Sequence, residues 1–148
     1  MVTLREKIVF GLCVLWLAVA SVMLWWPAGY WMTVTSIKAR DVQVGEPVPM
    51  AVVREIHRDF KADWIVSVIG FDEYGGRLLS SCYGSGTSNY KKGESLPAKL
   101  DLLWWTGGCL GLPEGGYIVE TEWEIHPPFY GFPRKKIAAT SNIFRVTK

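Results

Sequence analysis

The chain has 148 residues, which is room for one ordinary domain and a short additional segment. It carries 16 Lys and Arg against 14 Asp and Glu, so it lacks the basic excess with which nucleic-acid-binding proteins attract phosphates. We therefore expect no nucleic-acid partner. With 49% hydrophobic residues and eight Trp the chain is unusually apolar, and the excess is concentrated at its amino terminus.

The first predicted element is a transmembrane helix over residues 8–26, a run without a single charge. At about 1.5 Å rise per residue, a helix of this length covers the roughly 30 Å hydrocarbon core of a bilayer. Arg5 and Lys7 precede the run against a single Glu6. Since positive charge resists translocation, residues 1–7 are predicted to form a cytoplasmic tail, with the remainder periplasmic or extracellular.

Aromatic residues gather where the predicted helix leaves the far side of the bilayer. Such residues form a belt at membrane–water interfaces, and the predicted interfacial residues are Trp25, Trp26, Tyr30 and Trp31. Residues 27–32 are interpreted as an interfacial linker. Because this linker is so short, we expect the following domain to lie close to the lipid bilayer, which is the first predicted partner.

A cleavable signal peptide is the alternative interpretation of the same segment. Ala18 and Ala20 form a small-x-small pattern that signal peptidase accepts, and cleavage after Ala20 would release a secreted soluble protein. The apolar run continues beyond Ala20, however, and the mature chain would begin with exposed apolar side chains. The uncleaved anchor is therefore the preferred prediction.

Residues 33–148 predict a mainly β domain. Short runs of β-branched and aromatic residues recur between Gly, Pro, Asn and Asp, and no helical period of any length appears. The predicted strands are residues 33–40, 48–58, 63–71, 77–83, 97–105, 116–125 and 136–147. Seven strands in a segment of this length favour a two-sheet antiparallel sandwich.

Alternating side chains indicate which faces of these strands are buried. In the predicted strand 116–125, the residues expected to face the core are Tyr117, Val119, Thr121, Trp123 and Ile125. The acidic residues expected to face solvent are Glu120, Glu122 and Glu124. At 97–105 the same pattern puts Trp104 in the core and leaves Trp105 as the more exposed indole. The strand at 63–71 is apolar on both faces, which is typical of a central strand.

Two details resemble an immunoglobulin-like domain. Residues 113–119, Pro-Glu-Gly-Gly-Tyr-Ile-Val, are similar to the tyrosine corner, in which a Tyr near the start of strand F bonds back to the backbone. Trp64 resembles the core Trp of strand C. The second predicted strand carries no Cys, so the usual disulfide of the family is absent. The resemblance implies a seven-stranded antiparallel immunoglobulin-like β-sandwich, although a fibronectin-like or other sandwich topology would read similarly.

A broader resemblance rests on short motifs. After the apolar segment come Val-Gly-Glu at 44–46, Leu-Trp-Trp at 103–105 and Ser-Asn-x-Phe-x-Val at 141–146. Together they resemble small single-pass membrane proteins of bacteria and their phages or prophages. The resemblance implies a setting at the cell envelope and no particular activity.

Cys82 and Cys109 lie on the predicted exported side, where thiols are normally oxidised. A disulfide between them would close a loop and stabilise the fold by roughly 3–4 kcal/mol on chain-entropy grounds. Both cysteines adjoin glycine-rich segments with few restraints of their own. Free thiols or a metal site are the alternatives, but two Cys without nearby His residues make a poor zinc site.

Two segments are candidates for partner binding, because mobile loops with exposed aromatic and basic residues commonly contact partners. Residues 84–95 are glycine-rich and polar, and residues 127–136 combine aromatic with basic side chains. The candidate residues are Tyr90, Lys91, Lys92, Phe129, Tyr130, Phe132, Arg134, Lys135 and Lys136. The alternative is that the aromatic residues close one end of the core and the basic residues are solvated.

No catalytic, cofactor-binding or metal-binding residues are predicted. The sequence contains no familiar catalytic motif, and His57 and His126 are interpreted as surface residues. The expected function is therefore a non-catalytic, membrane-anchored interaction or structural module, whose partner is an envelope or membrane protein or a second copy. The alternative is an enzyme or small-ligand-binding protein with a pocket at one end of the sandwich, which convergence of His57, Asp59 and His126 would favour.

Overall fold

A computed structural model describes residues 3–72, 74–97, 100–109, 111–128 and 131–148, with the backbone alone for residues 79–81. The first element is helix α1, Leu4–Trp25, which is long and apolar enough to span a membrane, with a mean hydropathy of 2.5 over its most apolar part. Thr3 and Glu6 form a capping box at its start. The helix ends ahead of Pro27, since a residue preceding proline disfavours the helical conformation.

A short 3₁₀ turn, Ala28–Tyr30, leads into a domain that is mainly β. The described strands are β1 (Met32–Ala39), β2 (Val42–Gln43), β3 (Pro49–Ile56), β4 (Phe60–Phe71), β5 (Arg77–Tyr90), β6 (Leu100–Asp101), β7 (Gly115–His126), β8 (Lys135–Thr140) and β9 (Phe144–Thr147). A five-residue helix, α2 (Leu102–Thr106), follows β6 directly.

The strands form two sheets. One has the order β1-β3-β6, and the other has the order β2-β9-β7-β4-β5, with β8 also paired to β7. Strand β2 pairs with β9 in parallel, so the second sheet is mixed. The structure therefore does not confirm seven antiparallel strands, since nine strands are described and the β2–β9 pair is parallel. Buried side chains from both sheets, including Ile37, Val66 and Trp123, form one hydrophobic core.

Strand β7 has the alternation that its sequence predicts. Its inward residues are buried, and its acidic residues are half-buried on the opposite face. Strand β4 lies between β5 and β7, which confirms that it is central. The prediction that both faces of β4 are buried is wrong, because Ile65 is 49% exposed whereas Val66 and Val68 are buried. One sheet face is covered by the core, and the other is open to solvent.

The fifth predicted strand, at 97–105, is wrong. Of its described residues, two form β6. The Asp101 carboxylate then accepts a hydrogen bond from the Trp104 backbone at 2.7 Å and starts α2. In a helix, neighbouring residues no longer alternate between two faces. Trp105 is consequently buried, and Trp104 is 57% exposed, the reverse of the strand-based expectation.

The last predicted strand, at 136–147, is two strands that pair with β7 one after the other. At the break, Ser141 bonds to the Val119 backbone, donating through N at 2.8 Å and accepting through Oγ at 2.9 Å. The adjacent Asn142 amide binds both backbone groups of Ala39 in β1, at 2.9 and 3.0 Å. The break between β8 and β9 thus allows the Asn142 side chain to link the two sheets.

The predicted loop at 84–95 is wrong for residues 84–90, since β5 continues to Tyr90, whereas residues 91–95 do lie outside the strand. Two of its glycines are needed for packing. A Cβ on Gly84 would lie 2.6 Å from the Thr106 Cα, and a Cβ on Gly86 would lie 2.8 Å from the Trp64 indole. These glycines therefore let α2 and Trp64 lie directly against the strand.

We expect Gly84→Ala to lower the free energy of unfolding by about 1–3 kcal/mol, because the added methyl group meets backbone atoms that cannot rotate away. Gly116→Ala in β7 is the matched control, since nothing lies within 4 Å of its added Cβ. Denaturant unfolding of the full chain measures both variants. Equal effects of the two substitutions would contradict the packing role of Gly84.

Candidate functional site

The end of the domain next to α1 is connected to the helix by a direct polar contact. The Lys135 ammonium, at the start of β8, donates to the backbone carbonyls of Met23 at 3.1 Å and Leu24 at 2.8 Å. The last carbonyls of a helix have no partner within it, and they carry the negative end of the helix dipole. The last turn of α1 contains no basic residue. Lys135 therefore supplies, from the domain, the charge that caps the helix.

The four predicted interfacial aromatic residues lie in different environments. Trp25 is 86% exposed, whereas Trp31 is 2% exposed and belongs to the domain core. Trp26 and Trp31 each make an edge contact with Tyr30, with ring centroids 5.1 Å apart. The Arg58 guanidinium lies over the Tyr30 ring, 4.2 Å from its centroid. The linker is thus packed onto the domain, and only Trp25 is left on the exposed helix surface.

In the second candidate segment, residues 127–136, the basic residues contact either α1 or the acidic residues of β7. Phe129 and Tyr130 lie outside the described residues, and Phe132 is half-buried. The basic side chains at the start of β8 and just before it alternate. Lys135 points towards α1, while on the outer face Arg134 and Lys136 pair with Glu124 at 2.9 Å and Glu122 at 2.6 Å. The acidic row of β7 is completed by an ion pair between Glu120 and Arg77, so its charges are balanced across the sheet.

In the first candidate segment, residues 84–95, the aromatic residue predicted to contact a partner is buried in the core. Tyr90 is 6% exposed and stacks on Phe60 with centroids 4.9 Å apart. Burial is the main cause that raises the pKa of its phenol. Lys91 and Lys92 are exposed, and both bind Asp59, through Lys91 Nζ at 3.3 Å and Lys92 N at 2.8 Å. The Lys92 backbone contact is the main cause that lowers the Asp59 pKa.

The predicted disulfide joins Cys82 in β5 to Cys109 just after α2, with Cα atoms 5.8 Å apart. Cys109 is buried. The bond holds the segment that follows α2 against the second sheet. It therefore stabilises the position of a helix too short to be stable without tertiary contacts.

A polar cluster occupies the outer face where β4 and β7 meet β8. Asp63 accepts from Thr87 Oγ1 at 2.5 Å and bonds His126 Nε2 at 2.8 Å. Together with Glu124, Asp63 and His126 place three possible metal-ligand atoms within 4.8 Å of one another. Arg134 already lies 2.9 Å from Glu124 and 3.7 Å from Asp63. This guanidinium supplies the positive charge that the two carboxylates require, so the cluster is explained as an ion-pair network.

The histidines have separate partners. His57 bonds Thr33 Oγ1 at 3.1 Å and lies 3.6 Å from Glu55, whereas His126 bonds Asp63. Asp59, the third member of the constellation that would favour an enzyme, binds the two lysines that follow β5. In the described part of the chain no hydrogen bond links these three residues, so the geometry gives no support to a shared acid–base site.

Sequence reasoning missed a cavity of about 620 Å³ whose lining includes Arg54, Trp64, Tyr90, Glu94 and Trp104. The signal was present in β3. Met50, Val52, Arg54 and Ile56 share the inward face of that strand, and a single charge among apolar residues at every second position indicates a buried polar feature. The capping role of Lys135 was also missed, because its partners are 111 and 112 positions earlier in the chain.

Comparison with known proteins adds no functional assignment. No protein-family model matches the sequence, and no curated protein matches it.

We expect Lys135→Met to loosen the connection between α1 and the domain, because it leaves the last helix carbonyls without a charged partner. The lost interaction is worth about 1 kcal/mol, which corresponds to roughly fivefold faster hydrogen exchange at the Tyr30 and Trp31 amides. Exchange measured by mass spectrometry on the full chain in lipid nanodiscs tests this. Lys136→Met is the control, and similar exchange in both variants would contradict the capping role.

We also expect Asp63 to contribute to acid sensitivity. Its pKa is lowered, chiefly by the Thr87 hydrogen bond and further by His126 and Arg134. A group with a lowered pKa stabilises the fold above its unfolded pKa, and the contribution disappears as pH falls through the folded pKa. The stability difference between wild type and Asp63→Asn should therefore be largest above the unfolded pKa of about 3.9 and shrink as the pH falls below it.

Thermal unfolding as a function of pH measures this difference. Asp41→Asn is the control, because an amide oxygen can still accept the 2.8 Å hydrogen bond from the Arg145 backbone. A difference between wild type and Asp63→Asn that does not change with pH would contradict the role of the carboxylate charge.

Proposed function

We propose that the protein is a non-catalytic, membrane-anchored interaction or structural module, which presents a β domain from an envelope membrane, in a bacterial or phage setting. The observation that carries the proposal is the contact of Lys135 with the Met23 and Leu24 carbonyls. A domain that caps its own membrane helix has a fixed position relative to the bilayer. It is therefore suited to hold a surface at a set distance from the membrane.

The proposed orientation has the amino terminus in the cytoplasm and the domain in the periplasm or outside the cell. Arg5 and Lys7 favour this orientation. The disulfide between Cys82 and Cys109 also supports it, because such bonds persist in oxidising compartments. Cleavage after Ala20 would remove most of α1 and leave Lys135 beside a fragment of its last turn, so the uncleaved anchor remains the proposed form.

The proposed fold is immunoglobulin-like, with three additional strands, β2, β5 and β8, in the second sheet. With β1, β3 and β6 as strands A, B and E, and β4, β7 and β9 as C, F and G, the order of neighbours follows the immunoglobulin arrangement. Strand β5 then lies beside C, as C′ does in variable-type domains. The Tyr117 hydroxyl donates to the Pro113 carbonyl at 2.9 Å, as a tyrosine corner requires. Trp64, by contrast, is only partly buried, whereas Trp123 on the neighbouring strand β7 is fully buried.

The proposed partner is an envelope or membrane protein, or a second copy of this chain. Support comes from apolar residues left exposed on the outer face of the second sheet. Tyr83 is 70% exposed on β5, and Ile65 is 49% exposed on β4. Ile65 pairs with Ser85 and Ser67 pairs with Tyr83, so the two side chains are diagonal neighbours. Exposed aromatic and aliphatic groups of this kind are typical at the centres of protein contacts.

Crosslinking in cells tests this function. A photoreactive residue placed at Tyr83 should trap one stoichiometric envelope protein or a second copy, identified by mass spectrometry after purification from membranes. The same residue at Lys148, which is exposed beyond the end of β9, is the control. Failure of both positions to trap any protein above background would contradict the interaction function, and equal trapping at both would contradict a specific surface.

A further inference from the structure

The cavity beside α2 has the dimensions and the lining of a small-molecule site. Its volume is about 620 Å³, and binding pockets typically measure roughly 300–1,000 Å³. Its lining residues come from β3, β4, β5, the segment after β5, and α2. Sites of this kind combine an aromatic lining with a few convergent polar groups.

Arg54 is the buried polar group of this cavity. Its side chain is 5% exposed, and its Nε has no hydrogen-bond partner among the described residues. The guanidinium lies 5.0 Å from the centroid of the Tyr90 ring, a contact that uses its flat face. Leaving a buried donor without a partner costs about 1–3 kcal/mol. Because Nε is enclosed, Arg54 lines the cavity through the rest of its side chain, and a ligand acceptor would meet it there.

Glu94 faces Arg54 but forms no hydrogen bond with it. The closest approach between the guanidinium and this carboxylate is 3.8 Å, which is too long for a hydrogen bond. The other carboxylate oxygen accepts from the Lys91 backbone at 2.9 Å, and the Glu94 backbone donates to the Lys91 carbonyl at the same distance. This turn holds the carboxylate back from Arg54. A ligand hydroxyl lying beside this pair can therefore bond to both groups without displacing a hydrogen bond between them.

The polar groups determine what kind of ligand fits. An arginine only donates hydrogen bonds, a carboxylate only accepts them, and a serine hydroxyl such as that of Ser95 does both. The charges of Arg54 and Glu94 cancel, so the cavity does not select for a charged ligand. A hydroxyl group can accept from Arg54 and donate to Glu94 at once. A molecule with several adjacent hydroxyls matches this set best.

The aromatic groups add a second requirement. Trp104 lines the cavity and is 57% exposed, although its neighbour Trp105 is buried in the core. The Trp64 indole nitrogen donates to Ser88 Oγ at 3.1 Å, which fixes the ring with its polar edge already satisfied. These indoles provide flat apolar surfaces beside hydroxyl-binding groups. A ring with hydroxyls on its rim and C–H groups on its faces satisfies both requirements.

We propose that this cavity binds a saccharide, with Arg54 and Glu94 bonding its hydroxyl groups and Trp104 packing against a ring face. Three parts of the fold hold the site in place. Gly84 allows α2 to lie against β5, the Asp101 cap starts α2, and the disulfide at Cys109 fixes the segment after it. Saccharide binding goes beyond the anchoring and interaction function proposed above and does not depend on it.

The test titrates the purified full chain, in lipid nanodiscs free of sugar-based detergent, with maltotriose, cellotriose and tri-N-acetylchitotriose. Isothermal calorimetry and tryptophan fluorescence report binding. Saturable binding of at least one trisaccharide is expected. Trp104→Ala should weaken it by about tenfold or more, equivalent to about 1.4 kcal/mol. Because Trp104 is exposed, the variant should keep the wild-type unfolding temperature.

Tyr74→Ala is the matched control, since Tyr74 is an exposed aromatic residue that does not line this cavity. It should retain wild-type affinity. Glu94→Gln provides a second variant, which keeps the space but changes an acceptor into a mixed donor and acceptor, and it should weaken binding. Absence of saturable binding to all three trisaccharides, or equal affinity in wild type and Trp104→Ala, would overturn the proposal.

Discussion

Trp31 and Met32 are buried in the domain core only a few residues after α1 ends at Trp25. The rest of the structure depends on this constraint, because an apolar helix joined so closely to a core leaves no flexible spacer between them. The His57 backbone donates to the Trp31 carbonyl at 2.8 Å, which adds the end of β3 to the junction. Lys135 completes it from β8. Burial and capping therefore act on the same connection and stabilise one relative position of helix and domain.

The charged residues of the domain balance one another on the outer face of the second sheet, where each acidic residue of β7 has a basic partner. Exposed pairs of this kind contribute little stability individually. Arg54 differs from these exposed pairs, because its side chain is buried and lies 3.8 Å from the Glu94 carboxylate, too far for a hydrogen bond. A polar group that a fold buries without satisfying is a stronger indication of ligand binding than an exposed charge. The proposed saccharide site follows from that contrast.

Much of the architecture was predictable from local pattern. The apolar run predicted α1, alternation predicted the buried face of β7, and the corner motif predicted the Tyr117 hydrogen bond. The disulfide followed from having only two cysteines beyond the helix. The prediction of a loop at the glycine-rich residues 84–90 was wrong, because glycine in a sequence can indicate either flexibility or close packing. The two cases are distinguished by whether another segment packs against the glycine, as α2 does against Gly84.

The sequence by itself therefore determined the apolar helix, the mainly β domain and the faces of its most regular strand, since these depend on the spacing of neighbouring residues. The tertiary structure alone decided that Lys135 caps α1, that Trp104 is outside and Trp105 inside, and that Arg54 and Glu94 face each other across a cavity. Those features arise from segments far apart in the chain. Local periodicity carries no information about which distant segments meet, because strand order and register set those contacts.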